Sequence, residues 1–386
     1  MSADRPQLPR ALVVCPTWLG DAVMATPALQ LLRAGLPGAF LGGLCRPAAQ
    51  QALAGLDVFD EVHPAPSGGI MAPKVAAQRV RIRRYASALL LTNSFSTALS
   101  TRLAGIPLRM GFNRDGRGVL LTDSLPARTR RETPPFDRSA TDPGGYPAEP
   151  IAGAYESLAR AFLERLGVDH RSLARPTLRL AATDGEERAA ADILARAPIA
   201  PSAAFAVLNP GGNNPAKRWP PDRFAEVAAW LIRDRGLPVL VNGSPAESGL
   251  CAEIVSRACG MLGRDAQTSA SHPLVNLAEL GGSIGSLKAI LRRAAILVTN
   301  DTGPRHVAAA FGTPVVALFG PTDPRWTTLT PWLPPRRDGK PLPLEAELAA
   351  DPSLPEEEVA DDHPERCRVD RIEAGAVIEA AARLLG

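Results

Sequence analysis

Twice along this chain, once in each half, a short β-prone apolar run breaks into a glycine-bearing loop and then into a helical pattern. Residues 11–15 (ALVVC) lead into TWLGD and a helix-like recurrence of Val23, Leu29 and Leu32; residues 205–208 (FAVL) lead into NPGGNNPAKRWP and the helical stretch 222–235. Strand, loop and helix in that order open a parallel sheet, because parallel neighbours need a crossover connection. Further apolar runs at 40–44, 88–92, 238–241, 296–299 and 315–319 extend each half, with helical patterns at 151–166 and 184–196. A length of 386 residues has room for two cores. The expectation is an α/β chain of two Rossmann-like domains, 1–195 and 196–365, facing a central cleft, then a terminal helical segment, 366–386.

Charge is informative by its placement. The net charge is only +3, yet residues 70–131 hold twelve Lys/Arg against Asp115 and Asp123, while residues 341–365 hold nine acids and no base. The first segment points to an anionic ligand rather than to nucleic acid. The proline-rich stretches 126–150 and 334–364 read as surface loops. Five cysteines, Cys15, Cys45, Cys251, Cys259 and Cys367, are widely spaced and lack CxxC, so neither a disulfide framework nor a zinc site is expected. His63, His170, His272 and His363 have no partners at metal-ligand spacing, and no cofactor is expected. The N-terminus does not read as a signal peptide and no run approaches a membrane span, so a cytoplasmic protein is expected, with any membrane contact peripheral.

Three loops could carry chemistry. Asp21, just past Gly20, follows the first strand and is aimed at the ligand edge of a doubly wound sheet; it is equally an N-cap residue. In NPGGNNPAKRWP, Gly211 and Gly212 let backbone amides approach an anion, with Lys217 beside them, although the spacing is not a P-loop. In TNDTGPRHVAAAFGTP, Asp301, Thr302 and Gly303 open a helix whose amides can bind an anion, with His306 in its first turn; cap, turn and packing roles remain open for each. Glu247, in GSPAE, is either a ribose-binding carboxylate or an exposed helix acid. Neither GxGxxG nor GxSxG occurs, which argues against a dinucleotide oxidoreductase and an α/β-hydrolase.

In order, CPTWLGDAVMATPAL, LNPGGNNPAKRWPPDRF, VNGSPAE and TNDTGPRHVAAAFGTPVVALFGPTDP resemble the motif series of glycosyltransferase family 9, the heptosyltransferases. The PTWLGD form is nearest to the second inner-core enzymes of that family, the likeness spans about residues 11–326, and CRVDRI (367–372) is similar to a C-terminal family motif. The resemblance implies a GT-B transferase, inverting and metal-free, moving heptose from an ADP-sugar to an anionic lipid-linked saccharide. It places the acceptor on the first domain and the donor on the second, and returns the last helix to the first. It implies Asp21 as general base; Gly211, Gly212, Lys217, Glu247, Asp301, Thr302, Gly303 and His306 around the donor; and Gly20, Arg81, Arg84 and Arg114 around the acceptor. Pro304 and Arg305 depart from the small apolar pair usual before the histidine. A catalytically silent nucleotide-sugar or glycan binder is the rival reading; a phosphosugar epimerase would need more acids and histidines at the site.

Overall fold

The computed structural model describes residues 10–126, 150–197, 199–200, 202–263, 273–341, 343–354, 358 and 360–386. The chain divides into two compact units, Met1–Pro176 and Thr177–Gly386. Most of the expected 126–150 loop, and His272, lie outside the described residues.

The first unit comprises β1 (Arg10–Val14), α1 (Leu19–Met24), α2 (Thr26–Gly35), β2 (Phe40–Cys45), α3 (Pro47–Leu53), β3 (Glu61–Pro64), α4 (Ala72–Arg81), β4 (Ser87–Leu90), α5 (Phe95–Leu103), β5 (Leu108–Asn113), β6 (Asp123–Pro126) and α6 (Ile151–Arg165). All its strands are parallel, in the order β3-β2-β1-β4-β5-β6. Ala11, Leu12, Val13 and Val14 are buried on both faces of β1, as a central parallel strand requires. Because β1 pairs with both β2 and β4, the chain reverses its direction of travel there, and the crevice outside the carboxyl ends of β1 and β4 is the natural ligand position. On α6, Tyr155, Leu158, Ala159, Phe162 and Leu163 form one apolar stripe at helical spacing and pack on α2. The fit is close: a Cβ on Gly35 would lie 2.8 Å from Leu163 Cδ2. Leu158, Phe162 and Leu163, fully buried, each contribute about 1.5–3 kcal/mol. Helices α4 and α5 pack together as a separate pair.

The second unit opens with α7 (Asp184–Arg196) and continues through β7 (Ala206–Asn209), α8 (Pro221–Arg235), β8 (Val239–Val241), α9 (Ser248–Met261), β9 (Leu274–Asn276), α10 (Ile284–Arg293), β10 (Ile296–Asn300), α11 (Gly303–Ala310), β11 (Val315–Phe319), β12 (Glu345–Ala349) and α12 (Ala374–Leu385). Its sheet is again wholly parallel, ordered β12-β11-β10-β7-β8-β9, with the reversal between β10 and β7.

Three boundaries differ from the sequence expectation. Helix α7 belongs to the second unit: it starts in a Thr183/Glu186 capping box, packs on α10, and Glu186 pairs at 3.1 Å with the fully buried Lys288. The junction is therefore at 176/177 rather than 195/196. Helix α12, expected to return to the first domain, packs on α8 and strands β10–β12 within the second unit. Val377, Ala380, Ala381 and Leu384 enter the core with Leu231 and Leu318, and the Trp219 indole donates to the Ile372 carbonyl at 2.8 Å. Finally, the acidic stretch expected as loop contains β12, an edge strand in register with β11. Among the described residues no helix is long and apolar enough to cross a membrane, and no three metal-ligating side chains cluster.

Candidate functional site

Four neighbouring strands of the second sheet run out in asparagine: Asn300, Asn209 and Asn276 close β10, β7 and β9, and Asn242 follows β8. Their amides tie the loops at the carboxyl edge. Asn300 donates to the carbonyls of Pro210 (2.8 Å) and Gly211 (3.2 Å) and accepts from the Trp219 amide (3.2 Å). Asn242 donates to Asn209 (2.7 Å), which donates to Thr299 and Thr302 (both 3.1 Å). Glu247 completes the frame, accepting from the Gly212 amide (2.9 Å) and from the Ser244 amide and hydroxyl (2.9 and 2.7 Å). It is a partly buried strut under the glycine loop rather than an exposed helix acid. Gly211 is required by that strut, since a Cβ there would lie 2.4 Å from Glu247 Oε1.

Over this frame Lys217 meets Asp301 at 3.1 Å, with Lys217 partly open and Asp301 buried. The other Asp301 oxygen accepts from Arg305 (3.2 Å) and Thr327 (3.3 Å). Arg305 is wholly buried, stacks over Phe319 at 4.7 Å, and pairs with Glu345 and Glu347 at 2.6 Å each. Both acids come from β12, so the departure at Arg305 and the acidic segment form one structure. Burial opposes charge on Arg305, but Glu345, Asp301 and Glu347 hold it ionised. Burial also opposes ionisation of Asp301, yet Arg305 and Lys217 keep its carboxyl below the usual range. Glu347 goes the other way: burial, with Glu345 and Asp301 nearby, outweighs Arg305 and raises it to about 7.

Thr302 is the N-cap residue of α11 but does not cap with its hydroxyl, which donates to the Asn300 carbonyl (3.2 Å). Gly303 begins the helix, and His306 on its first turn is buried, with Nδ1 3.3 Å from the Thr302 carbonyl. Burial and the adjacent Arg305 push His306 down to about 3, so the imidazole is neutral. Its Nε2 is buried without a hydrogen-bond partner among the described residues, an acceptor position that a ligand donor could fill. Lysine, a glycine loop and the start of α11 make this edge suited to a diphosphate. Asn209, Asn242, Asn300 and Arg305 were absent from the sequence candidates, although a row of strand-ending asparagines is a readable signal.

In the first unit, Gly20 and Asp21 lie in the first turn of α1, at the β1 switch point. Trp18 occupies the N-cap position and no side chain caps the helix, so Asp21 is not an N-cap. Instead the buried Tyr155 of α6 shares a hydrogen bond with Asp21; burial and that carboxylate push the phenol far up, so it is the donor. Arg114 follows β5 on the same carboxyl edge. Arg81 and Arg84 do not. Helix α4 runs back against the strands, and its last turn reaches the amino edge, where Arg10 of β1 donates to the Arg83 carbonyl at 3.0 Å. Those two bases are therefore separated from Asp21 by the length of the sheet.

Two doubly wound parallel units in one chain, with a phosphate-suited loop at the switch point of the second, are the components of the GT-B fold. The model of glycosyltransferase family 9 (heptosyltransferase) matches residues 157–336. Lipopolysaccharide heptosyltransferase 2 of Escherichia coli is 29% identical over 327 residues, 82% of this chain and 84% of that protein. The solved E. coli ADP-heptose lps heptosyltransferase II superposes with a TM-score of 0.70 at 24% identity over 97% and 98% of the two chains. A family 9 glycosyltransferase from Veillonella parvula gives 0.72 at 21% identity over 98% of each. In sequence and in fold the chain is thus similar to the heptosyltransferases of glycosyltransferase family 9.

Proposed function

We propose that the chain moves a heptose from an ADP-sugar to an anionic, lipid-linked saccharide of the lipopolysaccharide core, with inversion and without a metal. In this reading Asp21 takes the proton of the acceptor hydroxyl as its oxygen bonds to the anomeric carbon. The bond from that carbon to the β-phosphate oxygen breaks, and ADP leaves carrying the new charge. Lys217, the amides of the glycine loop and the start of α11 stabilise that charge, a role that preorganised donors fill best. Asp301 is placed to hold the Lys217 ammonium, and His306 Nε2 to accept from the donor. The observation that carries the reading is the Lys217–Asp301 pair set over the pinned Gly211–Gly212 loop, where positive charge and backbone amides share one edge. The acceptor is read onto the first unit, with Gly20 and Arg114 beside Asp21.

The test is Asp21→Asn, assayed with ADP-heptose and a core acceptor while ADP binding is followed by calorimetry. Loss of a general base costs roughly 10²–10⁴-fold in rate, with ADP affinity expected to hold. Transfer at the parent rate would reject Asp21 as base. A parent that binds ADP and transfers nothing would favour a silent binding protein.

A further inference from the structure

The outer surface of α4 and α5 has no part in the chemistry above. Helix α4 turns Met71, Lys74, Gln78 and Arg81 to solvent, about one turn apart, and Ile82 continues that line. Its neighbour α5 exposes Phe95, Arg102 and Leu103, and the Arg81 guanidinium donates across the seam to the Leu103 carbonyl. The turn Arg117–Leu120 adjoins α5 and adds Val119. Ile70, Val119 and Ile82 are 98%, 83% and 79% exposed, so these side chains stand almost entirely in water.

Isolated exposed hydrophobics need no explanation, but concentration does. Six of the nine large exposed hydrophobics among the described residues, Ile70, Met71, Ile82, Phe95, Leu103 and Val119, lie on this one helix pair and its flanks. The charge is as uneven: residues 65–122 carry nine Lys/Arg and a single acid, Asp115. Arg83 is neutralised by Glu61 at 2.6 Å, but Lys74, Arg79, Arg81 and Arg102 have no acid on either helix to face.

We propose that the α4–α5 face docks on a bilayer surface carrying anionic headgroups. Short apolar side chains at the rim enter the headgroup boundary, while the lysine and arginine stems lie along it and keep their cations among the phosphates. The face is two packed helices with bare aliphatic tips set among unpaired bases, and that charge selects an anionic plane. Arg81 and Arg84, which sit away from Asp21, then have a place on or beside the lipid-facing surface. The inference is independent of the transfer chemistry, so each can fail alone.

The test is flotation of the full chain with vesicles of pure phosphatidylcholine and of equal parts phosphatidylcholine and phosphatidylglycerol. The parent should float with the anionic vesicles, weakly with the neutral ones, and less as salt is raised. Lys74→Ala and Arg102→Ala should each lower the partition coefficient about fivefold, the worth of one base near an anionic surface. A combined Ile70→Ser, Ile82→Ser, Val119→Ser variant should lose flotation at unchanged Tm, because none of the three is buried, and should keep its activity on a short water-soluble acceptor. Failure of the parent to bind anionic vesicles overturns the proposal, as does parent-like flotation of the triple variant. So does light scattering that shows a parent dimer and a monomeric triple variant, which would assign the face to a second copy.

Discussion

The two sheets furnish the same edge in different ways. At the carboxyl edge of the second sheet Asn209, Asn242, Asn300 and Thr302 are joined by hydrogen bonds, Glu247 braces the glycine loop, and Asp301 is paired with Lys217 and Arg305. At the first, Asp21 rests on one turn of α1 and on the phenol of Tyr155. The difference follows from what each edge is read as binding. A diphosphate demands preorganised charge, because donors that must reorient during the reaction give up much of their effect. A hydroxyl of a large saccharide demands one oriented carboxylate and open space around it.

The comparison breaks most sharply at Arg305. Arg305→Ala would leave Asp301, Glu345 and Glu347 facing one another without their shared cation, and removing one partner of a buried pair costs about 3–5 kcal/mol. Thermal unfolding should show the second unit destabilised by that order and ADP binding lost with it. The matching experiment in the first unit is Arg165→Ala, which removes an exposed pair with Asp123 at 2.7 Å and should cost no more than about 1 kcal/mol. Equal effects of the two would show that the β12 network carries no special weight.

A smaller effect sharpens the same point through pH. Glu347 is raised from 4.5 to about 7, so the folded chain binds its proton more tightly than the unfolded one does. The stability it confers is present below pH 4.5 and is lost as pH rises through about 7. His306 is lowered from 6.5 to about 3, and its contribution has the other sign: present above 6.5 and lost as pH falls toward 3. Between 4.5 and 6.5 the two oppose, so Tm of the parent should be nearly level there and fall above 6.5. Glu347→Gln removes one arm, and its Tm should climb up to 6.5 and then stay level, a change of about 1–3 kcal/mol over the window. Parallel curves for the two proteins would show that Glu347 is ionised throughout.

Much of this was legible in the sequence, and the gaps have a common physical origin. Interior strands β1, β2, β4, β7, β10 and β11 read as unbroken apolar runs because both their faces are covered. The four sheet edges, β3, β6, β9 and β12, were not legible: EVHP, DSLP, LVN and EAELA have one neighbour each and little apolar surface to hide. β5 was masked in the same way by Arg109 and Asn113. Lys217, Asp301 and the glycine loop stood out because their residue types have few other reasons to cluster. Arg305 stood out only as a departure, since its partners come from 40 and 42 positions away. Basic residues close in sequence pointed to one site, but a helix end and a strand end lie at opposite edges of a parallel sheet, and Arg81 and Arg84 fall on the wrong one.

Tyr155 had no signal at all, because a tyrosine in the stripe with Leu158, Ala159 and Phe162 reads as core. It offers the finest test of the contrast, since it is the support of the less supported edge. Tyr155→Phe keeps the ring and removes only the donor to Asp21, so stability should change by no more than about 1 kcal/mol. A net hydrogen bond of that size corresponds to about a fivefold loss in kcat/KM. Without the phenol to stabilise its anion, Asp21 should also take up a proton at higher pH, moving the acidic limb of the rate profile upward. A packing role for Tyr155 would move Tm and leave that limb in place; a positioning role moves the limb and leaves Tm. A variant with parent kcat/KM and an unshifted limb would show that Asp21 is oriented by α1 alone.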